Sequence, residues 1–267
     1  MKVFDRNLVA LDVKVHFVDE GAGSPVLFLH GFPDCGDMWS GIISRLRGRF
    51  RCVAPDLPGH GQSLAGDDFD LSLENRSRFI DALLEDLGIQ APINLIVHDH
   101  GGPYGLAWAV RHPEKVKRIV ITNTIFFSDY RWHFWAKIWR TPVLGELSLA
   151  LLNWPLFHRE MRRGSRQLTT EQIRGVYARI DRKLKRMCLR LYRATDPRVF
   201  IAWEGPLRDL VAHIPTMVLW GDHDPFIPKS FAERFGAQQV YHFPEAGHWL
   251  PVESAEEVAE RLLKFLE

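Results

Sequence analysis

The stretch LIVHDHGGPYG, residues 95–105, decides how this chain is read. An apolar run, Leu95 to Val97, ends in His98-Asp99-His100, and two glycines lead into a segment with helical spacing. A strand, a polar residue, Gly-Gly and a helix build a nucleophile turn, a sharp corner that lifts one side chain above the edge of a sheet. The usual residue at that corner is serine, which needs a base to remove its proton before it attacks a carbonyl. Here it is Asp99, with a histidine on each side. An ionised aspartate needs no such help and suits displacement at a saturated carbon, leaving an alkyl ester of the enzyme.

Working outward, Val26 to Leu29, Arg51 to Ala54, Ile93 to Val97, Ile119 to Thr122, Thr216 to Trp220 and Gln239 to Phe243 read as strands, most of them continuous apolar runs. Leu8 to Asp19 alternates as an early hairpin strand would. Met38 to Leu46, Leu73 to Leu87, Gly102 to Arg111 and Ser254 to Leu266 have helical spacing, and Gly88 is a C-cap signal. Strands alternating with helices predict an α/β fold with a mostly parallel central sheet covered on both faces. The rhythm breaks at residue 125 and resumes after residue 210, and the segment between is aromatic, then basic, and helical in pattern. The prediction is a core of residues 1–124 and 211–267 with an inserted helical cap over 125–210.

With 267 residues, the chain is long enough for one large domain of this kind. No apolar run approaches a membrane span, and the first residues lack the apolar centre of a secretory signal, so a cytoplasmic protein is expected. Cys35, Cys52 and Cys188 have neither metal-ligand nor disulfide-framework spacing. The net charge of +1 argues against a nucleic-acid partner. Residues 159–193 nonetheless hold twelve Lys/Arg against three Asp/Glu. Two readings stand for that run: a solvated helical face, or a surface that steers anions or a partner.

In an open α/β sheet, chemistry belongs at the carboxyl ends of the strands. Four polar signals fall there: HGFP (30–33), Asp99, Asp224 in GDHD (221–224) and His248 in AGH (246–248). With DLPGHG (56–61) and HDHGG (98–102), these motifs resemble the α/β-hydrolases of the epoxide hydrolase and haloalkane dehalogenase group, over nearly the whole chain. The resemblance implies Asp99 as nucleophile, His248 as base and Asp224 as the acid that orients it. Asn123 stands at an alternative acid position, and the G-x-x-D spacing selects Asp224 over Asp222. The backbone amides of Phe32 and His100 are the expected oxyanion donors. No metal or organic cofactor is implied, and water is the co-substrate.

Both reactions of that group use the same triad, so what receives the leaving group separates them. An epoxide leaves as an alkoxide that wants a proton donor, and the resemblance implies cap tyrosines for it. Tyr192 and Tyr130 are the candidates, with His133 as an alternative. A halide wants two N–H donors, usually including a tryptophan just after the nucleophile, where this chain has His100. Val97 and RTPVLGEL (140–147) look more like dehalogenases. His30, Pro33, Trp132, Trp135 and Trp249 are expected to line the pocket, with Trp132, Trp135 and Trp139 spaced for one helical face. The expectation is an epoxide hydrolase that takes a small apolar electrophile as a monomer or homodimer. A dehalogenase is the alternative, and a fold that only binds a ligand or partner is the alternative of another class.

Overall fold

Strands that are apolar on both faces can be stable only between two helical layers, and that is where they lie. The structure, a computed structural model, describes residues 1–267. Its strands are β1 (Val3–Leu8), β2 (Val13–Glu20), β3 (Ser24–Leu29), β4 (Phe50–Pro55), β5 (Leu64–Ala65), β6 (Ile93–Asp99), β7 (Val116–Thr124), β8 (Thr216–Gly221) and β9 (Gln239–Phe243). They follow the order β1-β2-β4-β3-β6-β7-β8-β9, with β5 paired to β2. From β4 to β9 the sheet is parallel, and β1 and β2 add an antiparallel edge. Every residue of β6 and β8 is buried, as the apolar runs require. This is the α/β-hydrolase fold.

Helices α1 (Ser40–Leu46), α2 (Leu73–Asp86) and α3 (Gly101–Arg111) come from the first half of the core. The segment between β7 and β8, expected as a cap, supplies α4 (Phe134–Arg140), α5 (Leu144–Ala150), α6 (Trp154–Gly164), α7 (Thr170–Ala178) and α8 (Arg182–Ala194). Then come α9 (Ile201–His213), α10 (Leu250–Glu253) and α11 (Ala255–Leu266). One face of the sheet is covered by α2, α3 and α9, the other by α1 and α11. Helix α2 starts at the Ser72 N-cap, which accepts the Asn75 amide, and stops at Gly88, whose φ of 63° is left-handed.

Three expectations change. The hairpin resolves into two strands, and a turn of 3₁₀ helix over Gly36–Trp39 precedes α1. Helix α9 packs on α3, so it belongs to the core layer, and the cap closes before Ile201 rather than at residue 210. Periodicity alone cannot tell which neighbour an amphipathic helix has.

The basic run also gains a role. On α8, Lys183 donates to the carbonyls of Gly61 (2.6 Å) and Ser63 (3.0 Å), and Arg190 to those of Gly66 (3.1 Å) and Phe69 (2.5 Å). Arg186 pairs with Asp67 at 2.6 Å and Arg193 with Glu146 at 2.9 Å. Much of the positive charge on α8 therefore fastens that helix to residues 61–69 around β5 and to α5. No helix is long and apolar enough to cross a membrane.

Candidate active site

Strand β6 carries Asp99 to the carboxyl edge of the sheet, between β3 and β7. Its φ of 45° is left-handed, an unfavourable conformation for a residue with a Cβ. The surroundings enforce it. A methyl group at position 101 would run into the Leu29 carbonyl, and one at position 31 into the Asp99 side chain itself. Only glycine lets helix α3 and the His30-Gly31 loop close on this corner. Thr124 Oγ1 donates to the Asp99 carbonyl at 2.5 Å and ties the corner to β7.

The Phe32 amide donates to Asp99 Oδ2 at 2.9 Å, and the His100 amide also faces the carboxylate. Both expected oxyanion donors thus face the Asp99 carboxylate. The Phe32–Pro33 bond is cis. Burial pushes the Asp99 carboxyl up to about 6, against the opposing pull of His248 and the two amides. The group is still ionised at neutral pH.

His248 Nδ1 lies 2.7 Å from Asp224 Oδ2, and His248 Nε2 lies 4.0 Å from Asp99 Oδ2. Asp224 is held in turn. Its Oδ1 accepts the amides of Phe226 (2.7 Å) and Ile227 (3.0 Å), and its Oδ2 accepts Asn123 Nδ2 at 3.0 Å. Asn123 also bonds both backbone groups of Gly221. It is not an alternative acid but an orienting partner of Asp224, a role its position at a strand end only hinted at. Phe226 sets its ring edge-on to His248, with centroids 5.2 Å apart. Although burial opposes protonation of His248, the carboxylates of Asp224 and Asp99 outweigh it and raise its pKa to about 9. An ester at Asp99 would remove one of those charges and lower that pKa, so the imidazole would give up its proton more readily and be free to take one from water.

A pH dependence follows. Covalent adduct formation should rise about tenfold per unit below pH 6 and level off above it, as Asp99 ionises. Rapid-quench measurement of the first turnover between pH 4.5 and 8 tests this. A flat profile would mean that ionisation of Asp99 does not gate the step.

A mostly apolar pocket opens above Asp99, bounded by core and cap. Pro33, Trp132, Trp135 and Trp249 line it as expected, and so does Trp139. Trp132 lies before α4 begins, so the three tryptophans meet at the pocket without sharing one helix.

The expected donors separate in space. Tyr192, on α8, is buried, lines the pocket and makes no hydrogen bond through its hydroxyl. Burial and the Asp99 carboxylate both push its pKa up, so it keeps its proton. Tyr130 also lines the pocket, but its hydroxyl donates to the Phe226 carbonyl at 2.9 Å. Its proton is already committed, which corrects its expected role as first donor. His133 caps α4, with Nδ1 accepting the Ala136 amide at 3.3 Å. Burial lowers its pKa to about 4, so the ring is neutral and its proton sits on Nε2.

Two histidines are placed differently from expectation. His30 lies beneath the pocket rather than on its wall. Its Nδ1 is 2.8 Å from the Gly31 carbonyl, and its Nε2 accepts the Leu57 amide at 2.8 Å. The His100 ring is not part of the pocket lining; it is stacked on Trp132 and edge-on to Tyr192 at 4.9 Å. It does not replace the missing halide donor. One buried carboxylate went unread in the sequence: Asp34, directly after HGFP, accepts Trp249 Nε1 at 2.7 Å and so fixes a pocket wall.

A family model described as alpha/beta hydrolase fold matches residues 24–255. A cis-3-alkyl-4-alkyloxetan-2-one decarboxylase of Xanthomonas campestris is 30% identical, over 96% of this chain and 93% of its own. Haloalkane dehalogenase 2 of Mycobacterium bovis is 27% identical, over 94% of this chain and 91% of its own. Among solved structures, the epoxide hydrolase CorEH superposes with a TM-score of 0.83 at 20% identity, over 99% of each chain, a likeness of fold.

Proposed function

Since this chain belongs to the alpha/beta-hydrolase family, we propose that it opens epoxides through an alkyl ester of Asp99 and hydrolyses that ester to a vicinal diol. The observation that carries the reading is the pair of uncommitted donors, Tyr192 Oη and His133 Nε2–H, on the walls of the pocket that holds Asp99. Asp99 Oδ1 attacks a ring carbon, the ring C–O bond breaks, and the oxygen takes a proton from Tyr192 with a hydrogen bond from His133. Water then attacks Asp99 Cγ as His248 removes a proton, and the oxyanion forms beside the amides of Phe32 and His100 that face the carboxylate. Collapse releases the diol. The two protons of the water end on the second hydroxyl and on the donor, and Asp99 is again a carboxylate.

A halide ion would find this pocket less suitable. The one indole N–H near His100, Trp132 Nε1, is sealed by packing. A second reading rests on the oxetanone-decarboxylating relatives. There Asp99 would open a four-membered lactone, expelling its carboxylate. Loss of CO₂ would supply the electron pair of a C=C bond and release Asp99, with no water consumed.

The test offers the purified protein styrene oxide, 1-bromobutane and a cis-3,4-dialkyloxetan-2-one in parallel. Diol from the epoxide supports the leading reading. Alkene and CO₂ without diol would replace it with the second, and bromide release without diol with a dehalogenase. No product from any of the three would favour a binding role.

The donor assignment makes its own prediction. Tyr192→Phe should lower kcat on epoxides by about 10²-fold or more, with KM little changed. The loss should shrink for epoxides whose alkoxide is more acidic, because those need less help. Undiminished turnover would remove Tyr192 from the mechanism.

A further inference from the structure

Three consecutive residues of the loop that carries His248 are each held from a different direction. Glu253 Oε2 accepts the Gly247 amide at 2.9 Å, the Gly164 carbonyl accepts the His248 amide at 2.8 Å, and Asp34 Oδ2 accepts Trp249 Nε1 at 2.7 Å. The middle bond differs in origin from the others around the triad. Asp99 and Asp224 take theirs from β7 and from the loops after β3 and β8. Of the three, only His248 is bonded to the segment between β7 and β8, at the corner where α6 ends.

That corner is shaped to seat on the loop. Ser165 Oγ accepts the amides of Gln167 (3.2 Å) and Leu168 (3.1 Å), which folds the chain back. Gln167 Nε2 then reaches the Glu245 carbonyl at 2.9 Å. The approach is close enough to need glycine on both sides. A methyl group at position 247 would run into the Gly164 carbonyl, and one at position 164 into the rings of Trp249 and Phe226. Glu253 holds the loop from α10. Its Oε1 is shielded from solvent and unpaired. Burial raises its pKa, against the pull of the Gly247 amide, the Ser165 hydroxyl and His248. A carboxylate kept in such a place costs stability, and the amide it holds belongs to the residue just before the base. We propose that Glu253 and the α6–α7 corner, through Gly164 and Gln167, position His248, so that hydrolysis of the Asp99 ester depends on the corner being seated while formation of the ester does not. The step affected rests on the proposed ester of Asp99; the positioning itself does not.

Three variants test this. Glu253→Leu removes the acceptor at similar size, Glu253→Gln keeps an acceptor for the Gly247 amide, and Gln167→Ala cuts the bond of an exposed side chain to Glu245. In rapid-quench experiments with a turned-over epoxide, Glu253→Leu should form the ester at the wild-type rate and hydrolyse it roughly 10- to 100-fold more slowly. Then kcat and KM fall together and kcat/KM holds. Glu253→Gln should recover most of the loss, and Gln167→Ala should show a smaller loss of the same kind. In the resting protein, the low-field proton resonance of His248 Nδ1–H, identified by its absence in His248→Gln, should shift or broaden in Glu253→Leu and Gln167→Ala. An unmoved resonance in both, or equal slowing of ester formation and hydrolysis, would overturn the positioning. Should Glu253→Leu not fold, Gln167→Ala decides by the same two measurements. A wild type that forms no ester would end the ester mechanism alone, because the resonance needs no substrate and still decides where the base is held.

Discussion

His248→Gln is expected to react once and stop. Steady turnover should fall by about 10³-fold or more, since the lost group is the general base of the second step. The first step should survive, because Asp99 attacks without base assistance. Mixing the variant with a turned-over substrate should give about one equivalent of rapid consumption. The intact mass should then rise by the mass of the epoxide, and peptide mapping should place it on Asp99. The 4.0 Å separation of His248 Nε2 from Asp99 Oδ2 is the basis: too long for a direct bond, but suited to a proton taken from water attacking Asp99 Cγ. Multiple turnovers at an unreduced rate, with no adduct, would mean that the ester is not on the path. The oxetanone reading separates here, since its second step needs no base and His248→Gln would not accumulate the ester.

Asp99→Asn should abolish both the burst and the turnover, a loss of at least about 10⁴-fold. It should also stabilise the fold, by the following reasoning. Burial lifts the Asp99 carboxyl from its ordinary 3.8 to about 6, so the fold favours the protonated form. That contribution is complete below about pH 4 and is lost as the pH rises through 6. At pH 8 the ionised carboxylate is a burden that asparagine, which mimics the protonated form, does not carry. A gain on the order of 1–3 kcal/mol is expected at pH 8, narrowing toward pH 4 in urea unfolding curves. The gain is limited because Asp99 also helps hold the charge on His248. A variant less stable than wild type at pH 8 would contradict this. The outcome bears on a common trade: the active group is kept at the expense of the fold.

Several parts of the site were readable in one dimension because their causes are local. The apolar runs set the strands, Gly88 ended α2, and the Gly-Gly after Asp99-His100 marked the corner. The four polar signals each followed a strand, and strands of a parallel sheet all point their carboxyl ends one way. That is why Asp99, Asp224 and His248 come together although they are spread over most of the chain.

Other parts were not readable, and each failed for the same kind of reason. Tyr130 and Tyr192 look alike as letters. Only the fold places the Phe226 carbonyl under one hydroxyl and leaves the other free. His30 follows a strand as Asp99 does, yet the loop after β4 folds over it and uses its ring to bind the Leu57 amide. The tautomer of His133 depends on where α4 starts, and the partner of α9 depends on which surface is left uncovered. Arg76 sits in an ordinary amphipathic helix, and nothing in its neighbours along the chain shows that it is buried with its guanidinium on the Thr195 hydroxyl. What depends on backbone geometry and period is legible along the chain: the layered fold, the strained corner, the identity of the triad candidates. The tertiary structure decided what each polar side chain meets, because a hydrogen bond or a charge is satisfied by whatever lies across space, and its partner is brought there by elements tens of residues away.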